Sequence, residues 1–392
     1  MPETKDAIII GAGLNGAATA YFLTRRGIRN IVILDADMPG SGASGAAVGL
    51  LRTHYDNRPE TELAVRSMPY FRNWPDRVGD ECGWREIGFY RFVEPHEIAN
   101  MQANVAVQRA LGDTVEILDA TQVKQIAPAF RVDDIGAVVY EPNMGTASNS
   151  RATRSMLRQA CASGAELRPF TRVISVDSAN GRVTGVTTDR GRIAAPVVVL
   201  AASNGCKALA ATCGVDLPLV AREIRVAEIQ LPEALRDIGS YMDPITDSWL
   251  SPREQRRALI TVPNPWAGRT IDPDSYNASF SRAEAETGLI AVQKRLPGVA
   301  GAPVLRWWSK PECFAPDGKP ILGAVEGMQG LYLNTGAAGK GHKIAPAVGL
   351  TLSELITEGA CRTADLTPFN LARFQEPLKP WSDSQYGKRV IG

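Results

Sequence analysis

The fold of this 392-residue chain is decided by one stretch near its start, Ala7-Ile8-Ile9-Ile10-Gly11-Ala12-Gly13-Leu14-Asn15-Gly16. Its first four residues form an apolar, largely β-branched run, which is typical of a buried parallel strand. The glycines follow in the spacing G-x-G-x-x-G, and a helical pattern then runs over Ala17–Arg26. A second apolar run, Ile31–Leu34, ends at Asp35. Residues 7–35 therefore predict a strand, a helix and a second strand, the unit of a parallel α/β sheet.

The glycine turn has the context that dinucleotide binding requires. Gly11 permits a tight turn, Gly13 lets the backbone approach a pyrophosphate, and Gly16 lets the helix lie close to the strand. The start of the helix offers free N–H groups and a partial positive charge to phosphates. Asp35 stands 19 residues after Gly16 and is placed to accept hydrogen bonds from ribose hydroxyls. The alternative is an accidental glycine turn in an ordinary α/β unit.

A second segment of small residues follows Asp35 and bears on which dinucleotide is bound. It reads Ser41-Gly42-Ala43-Ser44-Gly45-Ala46-Ala47-Val48-Gly49-Leu50-Leu51-Arg52. Such a run brings backbone amides against an extended ligand, as the second half of FAD would need; the alternative is a flexible surface loop. The run, together with the position of the glycine turn near the start of the chain, favours FAD over NAD.

Composition excludes several classes of protein. Lys plus Arg is 43 and Asp plus Glu is 42, and this balance argues against the clustered basic surface of a nucleic-acid-binding protein. The six cysteines contain no C-x-x-C pair and the three histidines no H-x-x-x-H pair, so neither a disulfide framework nor a metal site is expected. Scattered thiols indicate a reducing cytoplasm. No apolar run approaches the roughly 18 residues of a membrane span.

Further segments along the chain carry a resemblance to a known family. They are Leu51-Arg52-Thr53-His54-Tyr55, Ala315-Pro316-Asp317-Gly318-Lys319-Pro320-Ile321-Leu322-Gly323 and Gly336-Ala337-Ala338-Gly339-Lys340-Gly341-His342-Lys343-Ile344-Ala345-Pro346-Ala347-Val348-Gly349. With the glycine turn, Asp35 and the small-residue run, they resemble the D-amino-acid oxidase and sarcosine oxidase family of flavoproteins. The likeness is greatest to sarcosine oxidase β-subunit-like and dimethylglycine dehydrogenase-like members, and it spans nearly the whole chain.

The resemblance implies a mixed α/β fold, with a glutathione-reductase-type FAD-binding Rossmann domain and an interleaved mixed-sheet substrate domain. The expected FAD-binding domain is discontinuous and comprises residues 1–80, 145–220 and 318–380. The expected substrate domain comprises residues 81–144 and 221–317, and residues 381–392 form a C-terminal tail. A helix that starts near Ile344 would point its positive end at the flavin and stabilise the reduced form.

The resemblance and the glycine motifs together nominate the residues that contact FAD. These are Gly11, Ala12, Gly13, Leu14, Asn15, Gly16, Asp35, Ala36, Ser41, Gly42, Ala43, Ser44, Gly49, Leu50, Leu51, Val173, Ala201, Gly205, Gly336, Gly339, Lys340, Gly341, His342 and Lys343. The flavin is expected to be non-covalent. Ala46 stands where dimethylglycine dehydrogenase-like relatives carry an attaching histidine, and Lys310 stands where monomeric sarcosine oxidase-like relatives carry an attaching cysteine.

The resemblance also implies a clamp for a substrate carboxylate. Arg52 and Lys343 match the arginine and the lysine that hold this group in the family, and a guanidinium fork with an ammonium suits a planar carboxylate. The family pattern G-H-G-F-K reads here Gly339-Lys340-Gly341-His342-Lys343. Lys340 therefore replaces a histidine and His342 an aromatic residue. We hypothesise that the added charge of Lys340 favours an acidic substrate or assists oxygen reduction.

The implied reaction is oxidation of the C–N bond of a small anionic amine, an N-substituted or D-amino acid. Hydride passes to flavin N5, and the resulting imine hydrolyses. The electron acceptor is oxygen or another carrier, and the assembly is a homo-oligomer or a hetero-complex. No acid–base residue can be chosen, although His54, Tyr55, Tyr90 and Trp249 are candidates for the pocket. Three alternatives stay open: a 2-hydroxy-acid dehydrogenase of the same fold, a non-catalytic FAD-binding subunit, and an NAD-dependent dehydrogenase.

Overall fold

The structure is a computed structural model that describes residues 3–264, 269–276 and 279–375. The expected C-terminal tail, residues 381–392, and the last five residues of the expected FAD-binding domain lie outside the described residues. Within the described ranges, strands β1–β22 and helices α1–α10 form a mixed α/β fold, as the sequence predicts.

A six-stranded sheet is built around the opening stretch of sequence. Its strands are parallel except for the last pair, which is antiparallel. In order across the sheet they are β10 (Glu166–Arg168), β3 (Ile31–Leu34), β2 (Ala7–Ile10), β14 (Val198–Leu200), β22 (Leu331–Thr335) and β21 (Ile321–Ala324). Every residue of β2, β3 and β14 is buried, because both faces of these strands are covered.

A four-stranded sheet covers one face of the six-stranded sheet. Its strands are β1 (Glu3–Thr4), β13 (Gly191–Ala194), β12 (Arg182–Thr188) and β11 (Val173–Ala179). Apolar residues of both sheets share one core, in which Ile8 and Val32 join Val186 and Ile193. An Asn-Gly pair is a sequence signal for a hairpin turn, and Asn180-Gly181 joins β11 to β12 with both residues at positive φ.

Helices cover the opposite face of the six-stranded sheet. Those that contact each other there are α1 (Leu14–Arg25), α3 (Arg58–Arg72), α7 (Asn149–Ala162) and α10 (Gly341–Glu358). The remaining helices are α2 (Ala43–Ala46), α4 (Trp74–Arg77), α5 (Ile98–Ala110), α6 (Ala120–Ile126), α8 (Gly205–Ala211) and α9 (Arg282–Arg295). Helix α10 ends at Gly359, whose φ of 73° is the left-handed conformation that favours glycine at this position.

A nine-stranded sheet forms a second layer of the molecule. Its strands are β19 (Thr270–Ile271), β15 (Val220–Gln230), β18 (Arg257–Thr261), β17 (Ser248–Pro252), β16 (Ser240–Asp243), β6 (Phe89–Val93), β8 (Ala137–Glu141) and β7 (Glu116–Leu118), with β20 (Val304–Phe314) paired to β15. It has a separate core, in which Phe92, Phe130 and Tyr241 stack edge to face. A small sheet of β4 (Leu50–Leu51), β9 (Gly145–Thr146) and β5 (Arg85–Glu86) includes two residues near the end of the small-residue run.

Several predicted boundaries need correction. Helix α10 starts at Gly341 rather than near Ile344, because the glycine-rich turn itself winds into the first helical turn. The sequence offers Asn149 and Ser150 as N-cap candidates, but helix α7 is capped by Ser148, whose hydroxyl accepts the N–H of Arg151. The apolar spacing over Glu62–Val78 predicts one helix, but the helix is broken at Asn73, since a proline follows Trp74.

Candidate active site

A cavity of about 670 Å³ lies at the ends of β2, β3 and β14, where the polypeptide leaves the six-stranded sheet. It borders most of the residues nominated from sequence for FAD. These are Gly11, Gly13, Leu14, Asn15, Asp35, Ala36, Ser41, Gly42, Ala43, Ser44, Val173, Ala201, Gly205, Gly336, Gly339, Gly341 and His342. The carboxyl ends of parallel strands are where ligands bind in open α/β sheets.

Other nominated residues do not border this cavity. Ala12 and Gly16 belong to the glycine turn but are not in the lining, while Leu50 and Leu51 are buried in β4 and pair with β9. A Cβ on Gly49 would lie 2.2 Å from the carbonyl oxygen of Ala147, so this glycine serves backbone packing. Arg52, Lys340 and Lys343 are also outside the lining.

The glycine turn is held by contacts that leave no room for side chains. Gly11 has φ +106°, and a Cβ there would lie 2.4 Å from the carbonyl oxygen of Ala201. A Cβ on Gly16 would lie 1.9 Å from the carbonyl oxygen of Gly11. A Cβ on Gly13 would lie 3.1 Å from Ser44 Oγ, and that oxygen accepts the N–H of Leu14 at 3.0 Å. Ser44, in the small-residue run, therefore lies against the start of α1.

Asp35 ties the turn to the end of β3. Its Oδ2 accepts the N–H of Ala12 at 2.7 Å, and its Oδ1 accepts the N–H of Asp37 at 3.0 Å. Burial raises the pKa of this carboxyl above its ordinary value, while the two backbone donors oppose the shift. Each oxygen keeps acceptor capacity beyond its one backbone bond, and the side chain borders the cavity. This geometry suits the recognition of ribose hydroxyls.

Two helix N-termini meet at the cavity. Neither Gly13, which caps α1, nor Lys340, which caps α10, makes a side-chain capping bond. Gly341 lies against the side chain of Asn15, since a Cβ there would be 3.1 Å from Nδ2. The paired helix ends direct partial positive charge into one space, which suits the anionic groups of a dinucleotide and of a reduced flavin.

Arg52 and Lys343 are brought together in the interior, each 4% exposed. The guanidinium lies over the ring of Tyr55, 4.1 Å from its centroid, and donates to the carbonyl oxygen of His54. Lys343 Nζ donates to the carbonyl oxygen of Gly339 at 3.0 Å. Burial and then the charge of Arg52 lower the pKa of Lys343 to about 7. In the part of the chain that the structure describes, neither cation has a carboxylate within 4 Å.

Lys340 is engaged elsewhere. Its Nζ lies 2.9 Å from Glu60 Oε1 and donates to the carbonyl oxygen of Gly318 at 2.7 Å. Lys319 bonds the other oxygen of Glu60 at 2.7 Å and Asp56 at 3.0 Å. Because its charge is neutralised in this buried cluster, the structure does not favour the hypothesis that Lys340 adds an unpaired charge beside the flavin. It joins α10 to α3 instead.

His342 occupies the first turn of α10 and packs edge-on against Phe71, with the ring centroids 5.1 Å apart. Burial lowers the pKa of the imidazole well below its ordinary value, and the neighbouring Lys343 lowers it further. The imidazole is therefore neutral. Neither ring nitrogen has a hydrogen-bond partner among the described residues. Of the four other pocket candidates, His54, Tyr55, Tyr90 and Trp249, none borders the cavity.

Two groups of residues near the site were not predicted from the sequence. Glu312 borders the cavity from β20. Side chains of a strand point alternately to its two faces, so the sequence does not show that this one reaches a cavity. Behind Arg52, Thr53 Oγ1 contacts the carboxylates of Glu141 and Asp113, and Gln108 Nε2 donates to Glu141 at 2.7 Å. Glu141 lies 88 residues from Thr53, so only the folded chain shows this cluster.

The fold and the cavity define a dinucleotide-binding α/β protein. Its interior contains two buried cations, Arg52 and Lys343. The sequence matches the DAO family, described as FAD dependent oxidoreductase, over residues 6–355. The chain therefore belongs to this family, and FAD is its cofactor.

Relatives agree with this assignment, and a solved structure shares the fold. Human mitochondrial sarcosine dehydrogenase is 25% identical over 391 residues, which cover 96% of this chain but only 42% of that protein. The sarcosine oxidase subunit beta of Rhodobacter capsulatus is 24% identical, and the match covers 96% of this chain and 90% of that one. L-Proline dehydrogenase from P. horikoshii shares the fold, with a TM-score of 0.87 at 22% identity over 96% of this chain and 99% of that chain. No helix among the described residues is long and apolar enough to cross a membrane.

Proposed function

We propose that this chain oxidises the C–N bond of a small amine that carries a carboxylate, such as an N-substituted amino acid or a D-amino acid. The observation that carries the proposal is the pair of buried cations, Arg52 and Lys343, which have no acidic partner within 4 Å among the described residues. Two buried charges of one sign are costly unless an anion joins them. A substrate carboxylate supplies that anion.

The residues of this chain bind and orient the reactants. The glycine turn and Ser44 would hold the pyrophosphate of FAD, and Asp35 its ribose. The start of α10 would face the flavin ring and stabilise its reduced form. When bound, FAD would supply the two-electron acceptor for the hydride on the carbon beside nitrogen. Arg52 and Lys343 fix the carboxylate and thereby align that carbon, and the resulting imine hydrolyses.

Anaerobic flavin reduction tests the proposal. Sarcosine, glycine, L-proline, D-alanine and L-lactate are mixed with the purified protein, and the flavin absorption near 450 nm is followed. We expect at least one of the amines to bleach the flavin and lactate to leave it oxidised. Bleaching by lactate alone would identify the hydroxy-acid dehydrogenase. A bound flavin that no compound reduces would identify a non-catalytic subunit.

An Arg52→Met variant adds a second arm to the same experiment. The variant should retain FAD, because Arg52 does not border the cavity. It should lose at least about tenfold in affinity for the reactive amine, since a charge-assisted bidentate contact contributes about 1.5–3 kcal/mol. Retained affinity would contradict the carboxylate clamp. Arg306→Met, on the exposed side of β20, is the matched control.

We also propose a division into two domains. The two large sheets are formed by separate stretches of the chain, which supports an FAD-binding domain of residues 1–80, 145–220 and 318–380 and a substrate domain of residues 81–144 and 221–317.

Compartment, assembly and electron acceptor are proposed as well. All six cysteines are free, which supports a reducing, cytoplasmic compartment. One relative is named as a subunit, which supports a hetero-complex, and the mass of the native assembly from its host tests this. Electron transfer to oxygen is tested by peroxide formation.

A further inference from the structure

Glu312 is an acidic side chain at the cavity that the proposed clamp does not use. It lies near the end of β20, where its Cα pairs with that of Arg222 on β15. Its side chain is half-buried and borders the cavity. Of the other acids in the lining, Asp35 and Asp37 follow β3 at the ribose end, and Asp274 is exposed.

Positive charge surrounds Glu312 without neutralising it. Lys343 and Lys340 act on its carboxylate from α10, and the N–H of Gly339 donates to it. Neither lysine, nor any other basic group among the described residues, lies within 4 Å of it as an ion pair. Lys340 is held by Glu60, and Lys343 by the carbonyl oxygen of Gly339. Burial raises the pKa of Glu312, while Gly339, Lys343 and Lys340 oppose the shift.

The charges of the site form a pattern. Arg52 and Lys343 present two cations that need an anion, and Glu312 presents an anion that needs a cation. The residue after Glu312 contacts the turn before α10, since the carbonyl oxygen of Cys313 accepts the N–H of Ala338 at 3.1 Å. Lys343 Nζ binds the carbonyl oxygen of Gly339 in the same turn, so Glu312 and Lys343 belong to the same end of the site. An amino acid carries a carboxylate and an ammonium group two bonds apart, and it is complementary to this arrangement.

We propose that Glu312 binds the amino group of the substrate and thereby selects amino acids over hydroxy acids of the same shape. The inference rests on the proposed function and adds to it a residue that recognises nitrogen. A hydroxyl group in place of the ammonium leaves the carboxylate of Glu312 without a cation, and a site of this kind discriminates strongly against such an analogue.

The test separates recognition of the amine from recognition of the carboxylate. In wild type and Glu312→Gln, the dissociation constant of sarcosine is taken from the concentration dependence of anaerobic flavin reduction. That of methoxyacetate, which keeps the carboxylate but has an ether oxygen in place of nitrogen, is taken from the perturbation of the flavin spectrum. If another amine of the panel reduces the flavin faster, that amine and its ether or deamino analogue take these places. Glu326→Gln, an exposed residue outside the site, is the matched control.

We expect Glu312→Gln to bind the amine at least tenfold more weakly and methoxyacetate within twofold of wild type, with FAD content unchanged. Glu312→Asp should recover part of the loss. Unchanged amine affinity, or an equal loss for both ligands, would overturn the inference. Loss of FAD from both variants would overturn it as well, because Glu312 would then serve the flavin.

The outcome is distinguishable from failure of the proposed function. If no amine reduces the wild-type flavin, both ligands are titrated by the spectral perturbation alone. Binding of methoxyacetate without binding of sarcosine would overturn the role of Glu312 and leave the clamp standing. Binding of neither ligand would overturn both.

Discussion

Lys343 makes substrate binding depend on pH. Its pKa is lowered to about 7 by burial and then by Arg52, with Lys340 adding to the shift and Glu312 and Glu60 opposing it. The ammonium is therefore present below pH 7 and is lost as the pH rises through that value. We expect methoxyacetate to bind several-fold more tightly at pH 6 than at pH 8.5. A Lys343→Met variant should bind it weakly at both pH values, and a steep pH dependence in this variant would contradict the assignment.

Glu141 should limit stability at alkaline pH. Burial, then the charge of Asp113, raises its pKa to about 7. Because a raised carboxyl pKa stabilises the protonated native state, stability from this group falls as the pH rises from about 4.5 to 7 and stays low above that. Glu141→Gln should therefore gain about 2 kcal/mol relative to wild type between pH 5 and pH 8. Urea unfolding at both pH values measures this, and parallel pH profiles for the two proteins would refute it.

At this scale the sequence predicts best the residues whose role is local. Gly11 and Asp35 act within a contiguous motif, so their spacing was sufficient to place them at the cavity. Lys340 shows the limit of such inference. Its position in a glycine-rich segment indicated a role at the flavin, yet its charge is neutralised by Glu60, which is 280 residues away in sequence. Long-range pairing of charges leaves no pattern in a single sequence.

Helix α10 is fixed to α1 by a close approach of the two backbones. A Cβ on Gly349 would lie 2.7 Å from the carbonyl carbon of Ala18. Gly349→Ala should force the helices apart and destabilise the protein by about 1–3 kcal/mol, although alanine is the better helix former. Thermal unfolding measures the loss. Gly298→Ala is the control, since its Cβ would meet Leu235 at an ordinary 3.4 Å and it should cost far less. Equal effects would show that the helix contact is not tight.

The buried cluster of Lys340, Glu60, Lys319 and Asp56 should join α10 to α3 without affecting the choice of substrate. Lys340→Met leaves Glu60 with Lys319 as its remaining cation. We expect the variant to lose about 2–4 kcal/mol of stability and to keep the wild-type ranking of amines. Lys310→Met, at an exposed position of β20, should change neither property. An altered ranking of amines with unchanged stability would restore the hypothesis that Lys340 acts on the substrate.

At the level of elements, the apolar runs and the helical pattern of residues 7–35 predicted β2, β3 and α1, whereas β10 and β21 of the same six-stranded sheet were not predicted. The positions of β14 and β22 within that sheet could not be derived from sequence. The apolar pattern of a strand indicates that it is buried, but it does not indicate which strand lies beside it. Strands of the nine-stranded sheet such as Ser240–Asp243 and Ser248–Pro252 were missed. They contain polar, buried residues, including Asp243, which pairs with Arg295 at 2.7 Å.

For the whole molecule, the flavin should be released on denaturation. Ala46 offers no nucleophilic side chain, and its carbonyl oxygen accepts the indole N–H of Trp308 at 3.3 Å. Lys310 is exposed on β20. After precipitation with acid, we expect the yellow colour to stay in the supernatant and the polypeptide to have the mass of the unmodified chain. A protein pellet that keeps the flavin absorption would contradict this.

The parallel neighbours β14 and β22 set the order of events when the chain is synthesised. Val198 of β14 pairs with Leu331 of β22, which is 133 residues later in the sequence. During synthesis, β14 is therefore complete before its neighbour β22 has been translated. Until then, β14 presents an unpaired apolar edge, which is a hazard for aggregation. Such non-local pairing slows folding. FAD would bind the folded chain and not the unfolded chain, and it would thereby stabilise the folded state. The supply of the vitamin from which FAD is made should therefore govern how much of this protein accumulates.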